Sequence, residues 1–533
     1  MSIDYNALLK QYRDNGVIID VKNNDLSVKA PRGSLSQEQI EFLKLHKEDI
    51  INSIRMNIEE IPLTDIQSAY YLGRMSGFEY GDVACQVYLE IDYDHLEIEK
   101  ANAAINKVIQ KHEMLRAVIQ ENGTQRILGE VPEYSIEYWA VSDENTDQPE
   151  KFQKIRKQHM QWSSTIGKWP FFKVGISKFA DKSVLHLVMD FIIADWTSVW
   201  ILIREFEKFY YDENNNEEKV TLTFGEYVRL ESEFKASVKY KNDKKYWNER
   251  MQEFPECPKL PILNDNMKNT FTRKIFELDN ESWEKFKKKA LSYNCTPTVA
   301  LLTTYAMCLS RWSETSKFGL NITMLNRMPL HEDVNKIIGD FTSVTLLETC
   351  TDCQKVFWEN MKQIQSQLNS DLDHNSYSGV KVLRDIAKIR GQENAMYPFV
   401  FTGSIGLVDE NGLKGKVGGY GISQTPQVFI DCQAMDSSAG LRVNWDIRDG
   451  IFRDDVINAL FETFKRTVLA LVSDESFWEK TETIQLPEYQ KVGRKEANAT
   501  DRELTYQPLH QTFFQKAQMK EMQVAVVDEH GYY

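Results

Sequence analysis

The stretch "LHLVMDFIIADWTSVWIL", Leu185 to Leu202, holds two aspartates, Asp190 and Asp195, inside a run of apolar residues. A continuous apolar run is typical of a strand covered on both faces, and the residues that follow it have helical spacing. Asp195 is therefore expected at a strand-to-helix junction, where functional side chains are common. Burying an ionised carboxylate costs several kcal/mol unless a partner compensates it. The stretch predicts a buried core in which both aspartates have partners.

The composition of the whole chain is that of a folded globular protein. Of its 533 residues, 42% are apolar and 27% are charged. At about 150 residues per domain, this length predicts roughly three or four folding units. The net charge of -15 argues against a nucleic-acid-binding protein, because such proteins need clustered Lys and Arg to neutralise phosphates.

Cysteine usage and the first residues indicate a reducing cytoplasm. The seven cysteines are scattered and odd in number, and the first 16 residues lack the basic and apolar regions of a secretion signal. No apolar run reaches the ~20 residues that a membrane span requires, so we predict no contact with a membrane. Cys350 and Cys353 form a CxxC without a second ligand pair, and we interpret them as incidental thiols. No metal site is predicted.

The pattern along the chain predicts four regions. Residues 1–57 read as a helix, a hairpin and a serine-capped helix, which is either an extension packed on the main body or an adaptor for another protein. Residues 58–240 and 241–487 both alternate helices with strands, as α/β lobes do. Residues 488–533 read as a polar linker and then a strand and turn that begin a further, truncated domain.

Six sequence blocks between residues 61 and 446 occur in the order of one known family. One of them is "DFIIADWTS", which has the form DxxxxDxxS. The others are "IPLTDIQSAYYLGR", "KHEMLRAV", "GDFTSVTLL", "PFVFTGS" and "SQTPQVFID" with a later "NWD". Together they resemble the heterocyclization domains of nonribosomal peptide synthetases, a branch of the condensation-domain superfamily.

This resemblance implies an α/β fold of two chloramphenicol-acetyltransferase-like lobes in a V, with a tunnel between them. Residues 1–57 are similar to small docking domains, and the residues after 488 are similar to the start of an adenylation domain. The domain itself would need no cofactor, because its substrates travel on the phosphopantetheine arms of upstream and downstream peptidyl carrier proteins. An upstream synthase subunit would bind the docking domain, and an adenylation domain would lie adjacent.

The resemblance also assigns roles around the opening stretch. Ordinary condensation domains carry HHxxxDG, and Asp190 and Phe191 stand here at the two histidine positions. The imidazole that could serve as a base near neutral pH is therefore missing. Arg327 of "MLNRMP" stands where the family has the arginine that pairs with Asp195, as a structural salt bridge between the lobes. Asp190 either accepts from backbone donors or lines the tunnel, and Ser198 either caps the helix or lines the tunnel.

The reaction implied by the resemblance has two stages: amide formation, and then closure of a Cys, Ser or Thr side chain onto that amide with loss of water. Asp431 matches the aspartate to which the family assigns the proton transfers, and Thr402 matches its partner hydroxyl. Both are predicted as catalytic. Gln424 and Gln427 are predicted to bind the substrate amide, although Pro426 between them favours a shaped turn.

Two other functions stay open at this point. A condensation-only enzyme would form the amide without closing a ring, and a docking or scaffold protein would catalyse neither step. The sequence does not reveal whether Cys, Ser or Thr is cyclised, which acyl group is donated, what binds residues 1–57, or the oligomeric state.

Overall fold

The structure is a computed structural model in which most of the chain is described. The predicted boundary after residue 57 lies outside the described residues. Residues Met1–Ile484 belong to one compact unit and residues Gln485–Tyr533 to a second. The described residues are 5–14, 17–22, 25–31, 34–56, 60–75, 77, 80–141, 150–212, 220–263, 268–407, 412–417, 419–501, 508–524, 527–529 and 531–532.

The N-terminal region is a β-hairpin with three helices. Its elements are α1 (Tyr5–Asp14), β1 (Ile18–Lys22), β2 (Asp25–Lys29), α2 (Gln37–Leu45) and α3 (Lys47–Met56). The predicted serine cap is confirmed, because Ser36 accepts from the backbone N–H of Gln39 and the Gln39 side chain accepts from the Ser36 N–H. The single helix predicted after it is interrupted at His46. A small core lies inside this region, formed by Tyr12, Val17, Leu43 and Ile50.

The first lobe contains a sheet in which β4, β9, β8 and β7 are consecutive neighbours, and a smaller sheet of order β3-β6-β5. Its elements are β3 (Ile61–Pro62), α4 (Asp65–Gly73), β4 (Gln86–Tyr93), α5 (Ile98–Lys111), β5 (Ala117–Ile119), β6 (Thr124–Ile127), β7 (Glu137–Ala140), α6 (Glu150–Met160), β8 (Phe172–Lys178), β9 (Ser183–Asp190), α7 (Trp196–Tyr211) and α8 (Phe224–Phe234). The next helix, α9 (Val238–Arg250), packs against second-lobe residues such as Tyr377 and Val382 through Trp247. Every residue of β9 is buried, so the covered strand and the helix α7 after it are as predicted.

The second lobe is built on a six-stranded sheet of order β10-β16-β15-β13-β11-β12. Its elements are β10 (Phe271–Asp279), α10 (Asn280–Ser292), α11 (Pro297–Trp312), β11 (Lys317–Leu325), β12 (Thr342–Cys350), α12 (Phe357–Leu372), α13 (Gly379–Arg390), β13 (Phe399–Ser404), β14 (Gly421–Gln424), β15 (Ile430–Ser437), β16 (Gly440–Arg448) and α14 (Asp454–Ser473). One face of this sheet packs into a large apolar core with α10, α11, α12 and α14. The predicted α/β class is confirmed in both lobes.

Strand β14 connects the two lobes. It follows β13 in the chain, but it pairs antiparallel with β4 and is the edge strand of the first-lobe sheet. The second part of the chain thus completes a sheet of the first part. This pairing places the segment around Gln424 beside the first lobe, while β14 also contacts β10 and β16 of the second lobe.

The second compact unit contains two helices and a short hairpin. These elements are α15 (Glu488–Ala497), α16 (Leu509–Met519), β17 (Val527–Asp528) and β18 (Gly531–Tyr532). The helices lie in residues predicted as a polar linker; their Glu, Gln, Lys and Ala residues favour a helix even where its side chains are exposed. The assignment of this region to an adenylation domain stays a prediction. Among the described residues, no helix has the length and hydropathy needed to cross a membrane.

Candidate active site

A cavity of about 1230 Å³ lies between the two lobes. The first lobe contributes Tyr70, Cys85, Phe191 and Trp200 to its wall, and the second lobe contributes the cavity face of the six-stranded sheet. Four of the predicted site residues are on this wall: Thr402, Gln424, Gln427 and Asp431. The structure therefore brings together residues that the sequence places on three different strands and a turn.

The alternation of side chains along a strand decides which residues face the cavity. On β15, Asp431 and Gln433 point toward the cavity, while Ile430 and Cys432 are fully buried in the core. Strand β13 runs parallel to β15 with Thr402 opposite Gln433. In this register, Thr402 stands diagonally beside Asp431.

The carboxyl group of Asp431 has a hydrogen-bond donor on each oxygen. The hydroxyl of Thr402 donates to Oδ1 over 2.9 Å, and Nε2 of Gln433 donates to Oδ2 over 2.7 Å. Gln433 was missed in the sequence. Its position two residues after Asp431, on the same face of one strand, was the signal that could have found it.

The surroundings of Asp431 raise its pKa to about 6. Burial is the largest cause, and the negative charge of Asp446 adds to it, whereas Gln433, Thr402 and Arg273 act in the opposite direction. A carboxyl group with this pKa exists in both protonation states near neutral pH. It can therefore accept a proton and give one back during a single reaction.

An ion pair lies beside this carboxyl group on the same face of the sheet, and its arginine is on the cavity wall. Asp446 of β16 is opposite Asp431 in the sheet, and Arg273 of β10 is opposite Asp446. Arg273 binds Asp446 with two hydrogen bonds, from Nε over 2.6 Å and from Nη2 over 2.5 Å. Asp446 comes from the "NWD" block, but nothing in the local pattern indicated Arg273.

Of the predicted amide-binding residues, Gln424 ends β14 and Gln427 lies on the turn between β14 and β15. Gln424 donates from Nε2 to the carbonyl oxygen of Ala84 over 3.2 Å, which attaches it to the first lobe. Gln427 has a φ of 61°, in the left-handed region, so the shaped turn predicted from Pro426 is present. Pro426 sits on Gly73, where a Cβ atom would be 2.4 Å from the proline Cγ. Both glutamines line the cavity, and their role in binding a substrate stays a prediction.

Asp195 has the partner that the resemblance implies. It is fully buried, and Arg327 contacts its two oxygens over 2.7 and 3.1 Å. Asp195 is also the N-cap of α7, because its side chain accepts from the N–H of Ser198. Arg327 follows a strand of the second lobe, so this pair connects the two lobes.

Asp190 has a different partner, which the sequence did not reveal. It is fully buried and forms an ion pair with Arg74 at the end of α4. It also accepts from the Ser164 hydroxyl over 2.5 Å and from the N–H of Ile192 over 3.0 Å. Arg74 closes the block "IPLTDIQSAYYLGR", and an arginine after an apolar helix was the available signal. Arginines thus compensate both aspartates of the opening stretch.

Neither Asp190 nor Ser198 is on the cavity wall. Asp190 is held inside the first lobe by Arg74 and accepts from the backbone N–H of Ile192, the first of its two alternatives. Ser198 does not cap α7 either, because the N-cap is Asp195. The Ser198 hydroxyl oxygen lies 2.6 Å from Oδ1 of Asp195 and 2.9 Å from the carbonyl oxygen of Gly339, and its one proton is donated to one of these two acceptors. Of the residues at the histidine positions, only Phe191 reaches the cavity, and its side chain is apolar.

Within the described part of the chain, no three His, Cys, Asp or Glu side chains are arranged to hold a metal ion. Cys350 and Cys353 are free and exposed.

The comparisons with known proteins identify the family. Residues 57–492 match the model of the condensation domain. The chain belongs to the condensation-domain family. Among curated proteins, this condensation-family chain is 32% identical over 501 residues to pyochelin synthetase PchF of Pseudomonas aeruginosa, a match that covers 90% of the chain and 28% of PchF. It is 29% identical over 472 residues to phenyloxazoline synthase MbtB of Mycolicibacterium paratuberculosis, covering 86% of the chain and 40% of MbtB. The chain thus spans less than half of either relative.

Among solved structures, this condensation-family chain is similar to the EpoB cyclization-docking bidomain of Sorangium cellulosum. The TM-score is 0.69 and the identity 27%, and the match covers 88% of this chain and 98% of the bidomain. The predicted membership in the heterocyclization branch, and the predicted fold of chloramphenicol-acetyltransferase-like lobes, are confirmed by these findings.

Proposed function

We propose that this domain joins a carrier-bound acyl or peptidyl thioester to a carrier-bound Cys, Ser or Thr, and then closes the new amide to a thiazoline or oxazoline. The observation that carries the proposal is the Asp431 carboxyl group on the cavity wall, bound by Thr402 and Gln433. The similarity to a cyclization bidomain and to a phenyloxazoline synthase supports ring formation in particular.

In the first stage, the amine nitrogen of the downstream residue attacks the carbonyl carbon of the upstream thioester. A C–N bond forms and the C–S bond breaks. The proton that the amine nitrogen loses goes to the departing sulfur, so the upstream arm leaves as a thiol. No imidazole assists this step at the position of Phe191, which is apolar and faces the cavity. Holding two arms in one cavity supplies the proximity on which such a step depends.

In the second stage, the side-chain thiol or hydroxyl of the same residue adds to the amide carbonyl. A C–S or C–O bond forms, the carbonyl π electrons move to its oxygen, and the proton of the nucleophile is transferred to that oxygen. Asp431 as a carboxylate accepts the first proton and returns it to the oxygen. Because nucleophile and carbonyl belong to one molecule, the addition gains from a high effective concentration.

Loss of water completes the ring. Asp431, again a carboxylate after the addition, accepts the N–H proton and gives that proton to the departing hydroxyl. The nitrogen lone pair forms the C=N bond as the C–OH bond of the tetrahedral intermediate breaks, water leaves, and Asp431 is a carboxylate once more. Thr402 keeps Oδ1 in place during both transfers.

The domain acts together with carrier proteins and neighbouring domains. The domain has no cofactor of its own, and both substrates arrive on phosphopantetheine arms of peptidyl carrier proteins. Residues 1–57 are a docking domain for an upstream synthase subunit, residues 58–240 and 241–487 are the two lobes, and residues 488–533 are a linker and the start of an adjacent adenylation domain. The setting is cytoplasmic.

The test is Asp431→Asn in a reconstituted assembly with loaded carrier proteins, read by mass spectrometry of the product. We expect the wild-type chain to give a product lighter by one water than the amide, and Asp431→Asn to accumulate the open amide. Thr402→Val removes the hydroxyl at nearly constant volume and should also favour the open amide. Asp455→Asn, in an exposed Arg–Asp pair that is not on the cavity wall, is the matched control.

Three results would contradict the proposal in different ways. Ring formation at the wild-type rate by Asp431→Asn would remove Asp431 from the mechanism. An open amide from the wild-type chain with every cyclisable residue would indicate a condensation-only enzyme. No transfer from either arm would indicate a scaffold protein.

A further inference from the structure

Gln433 is held by three other groups besides Asp431. Its Oε1 accepts from Nη2 of Arg273 over 3.2 Å, and its Nε2 lies 2.6 Å from the hydroxyl oxygen of Ser423 and 3.2 Å from Oδ2 of Asp446. Since Arg273 only donates, the amide oxygen must face Arg273 and the NH₂ group must face Asp431. The orientation of this amide is therefore determined by Arg273 and Asp431, which are on the cavity wall, with Ser423 and the buried Asp446 beside them.

Asp446 is the centre of that support. It is 1% exposed, and it binds Arg273 through both oxygens. Its Oδ2 also accepts from the N–H of Ser423 over 2.9 Å and from the Ser423 hydroxyl over 2.7 Å. Because the Ser423 hydroxyl proton goes to Asp446, its oxygen is free to accept from Gln433. Without Asp446, both Arg273 and Ser423 would lose the arrangement that points Gln433 toward Asp431.

Ser423 lies on β14, the strand that the first-lobe sheet shares. The pairing of Ser423 with Val87 of β4 ties this support to the first lobe. The network thus spans β10, β14, β15 and β16. Arg273, Ser423 and Gln433 are on the cavity wall together with Asp431, whereas Asp446 is not. A buried polar network with unsatisfied members destabilises the fold more than apolar side chains in the same place would. Such a network is therefore effective only if every member has a hydrogen-bond partner.

We propose that Asp446, held by Arg273 and Ser423, is a positioning residue for ring closure: it orients Gln433 so that a donor is always presented to Asp431. Asp446 does not reach the substrate, because it is not on the cavity wall. It therefore serves the steps in which Asp431 exchanges protons and not the amide-forming step. This inference rests on the proposed function.

The charge of Asp446 adds a second, measurable effect. The charged and titratable groups that face Asp431 are Asp446 on β16 and Arg273 on β10, together with Tyr70 on α4, Tyr305 on α11 and the adjacent Cys432. Burial raises the pKa of the last three, so they stay neutral near pH 7. Replacing Asp446 by Asn removes one negative charge and leaves Arg273 uncompensated. Both changes lower the pKa of Asp431.

The experiment compares Asp446→Asn, Gln433→Leu and the control Asp455→Asn in the reconstituted assembly, with amide and ring products measured across pH. For Asp446→Asn we expect amide formation within about twofold of wild type and ring closure reduced at least tenfold. The pH at which ring closure falls to half of its maximum should move down by about one unit. Gln433→Leu leaves the Arg273–Asp446 pair intact and should show the same selective loss of ring closure.

The outcomes separate the inference from the proposed function. Suppose that the wild-type chain closes the ring and Asp431→Asn does not. If Asp446→Asn then keeps the wild-type ratio of ring to open amide and the wild-type pH profile, the positioning role is wrong and the proposed function stands. If Asp446→Asn slowed amide formation and ring closure equally, the positioning role would also be wrong, because Asp446 would then only support the fold. If Asp446→Asn does not fold, Gln433→Leu is the deciding variant. A selective loss of ring closure in Gln433→Leu supports the network, and a wild-type ratio of ring to open amide refutes it.

Discussion

Replacing Arg327 by Met is the sharpest test of the inter-lobe contact. The substitution removes a guanidinium that gives Asp195 two hydrogen bonds and contacts the Ser198 hydroxyl over 3.0 Å. The same group donates to the carbonyl oxygens of Val334 and Ile337 over 2.7 and 2.9 Å. Methionine keeps most of the apolar stem, so the change isolates the charged head.

The magnitude follows from the burial of the partner. Asp195 is fully buried, and in Arg327→Met its charge would be left with only the donors of Ser198. Removing one member of a buried ion pair costs about 3–5 kcal/mol. The two orphaned carbonyl groups add about 1 kcal/mol or more each, so we expect the upper end of that range. In the double variant Asp195→Asn/Arg327→Met no buried charge is left unpaired, and the loss should be smaller than in Arg327→Met alone.

Urea unfolding followed by tryptophan fluorescence measures this directly. The chain has 11 tryptophans, including Trp196 and Trp200 on α7, so the fluorescence follows the unfolding of the chain as a whole. The midpoint of the transition should fall in Arg327→Met with an unchanged denaturant slope. A loss below about 1 kcal/mol, or a double variant less stable than Arg327→Met, would refute the reasoning that the pair compensates a buried charge.

Two further predictions concern stability and the corrected placement. The pKa of Asp431 is raised from 3.8 to about 6 in the folded chain, so the free energy of unfolding falls as the pH rises from about 4 through 6. We therefore expect Asp431→Asn to be more stable than the wild-type chain by up to about 3 kcal/mol near pH 8. Near pH 4, where the wild-type carboxyl group is protonated, the variant should show no such gain. Chemical unfolding at the two pH values checks this, and an equal difference at both would contradict it. Ser198→Ala should cost about 1–3 kcal/mol, measured by urea unfolding, and leave the ratio of ring to open amide unchanged. A shifted ratio would place Ser198 in the chemistry.

Part of the active site could be predicted because it is local. Asp431 and Thr402 come from blocks whose resemblance assigned them, and the alternation of β15 indicates which neighbours share a face with Asp431. Gln433 follows from the same alternation. The N-terminal serine cap and the covered strand β9 were likewise local, since caps and periodicity depend on residues a few positions apart.

The sequence by itself determined that the chain is α/β, that β9 is covered on both faces, and that two buried carboxylates need partners. Only the tertiary structure decided that Asp190 pairs with Arg74, 116 positions away, and that Asp446 beside the active carboxyl group pairs with Arg273, 173 positions away. The physical reason is that periodicity specifies the face on which a side chain stands, whereas strand order and register specify what stands opposite. Those are decided by the packing of whole sheets, including a strand that the second lobe gives to the first.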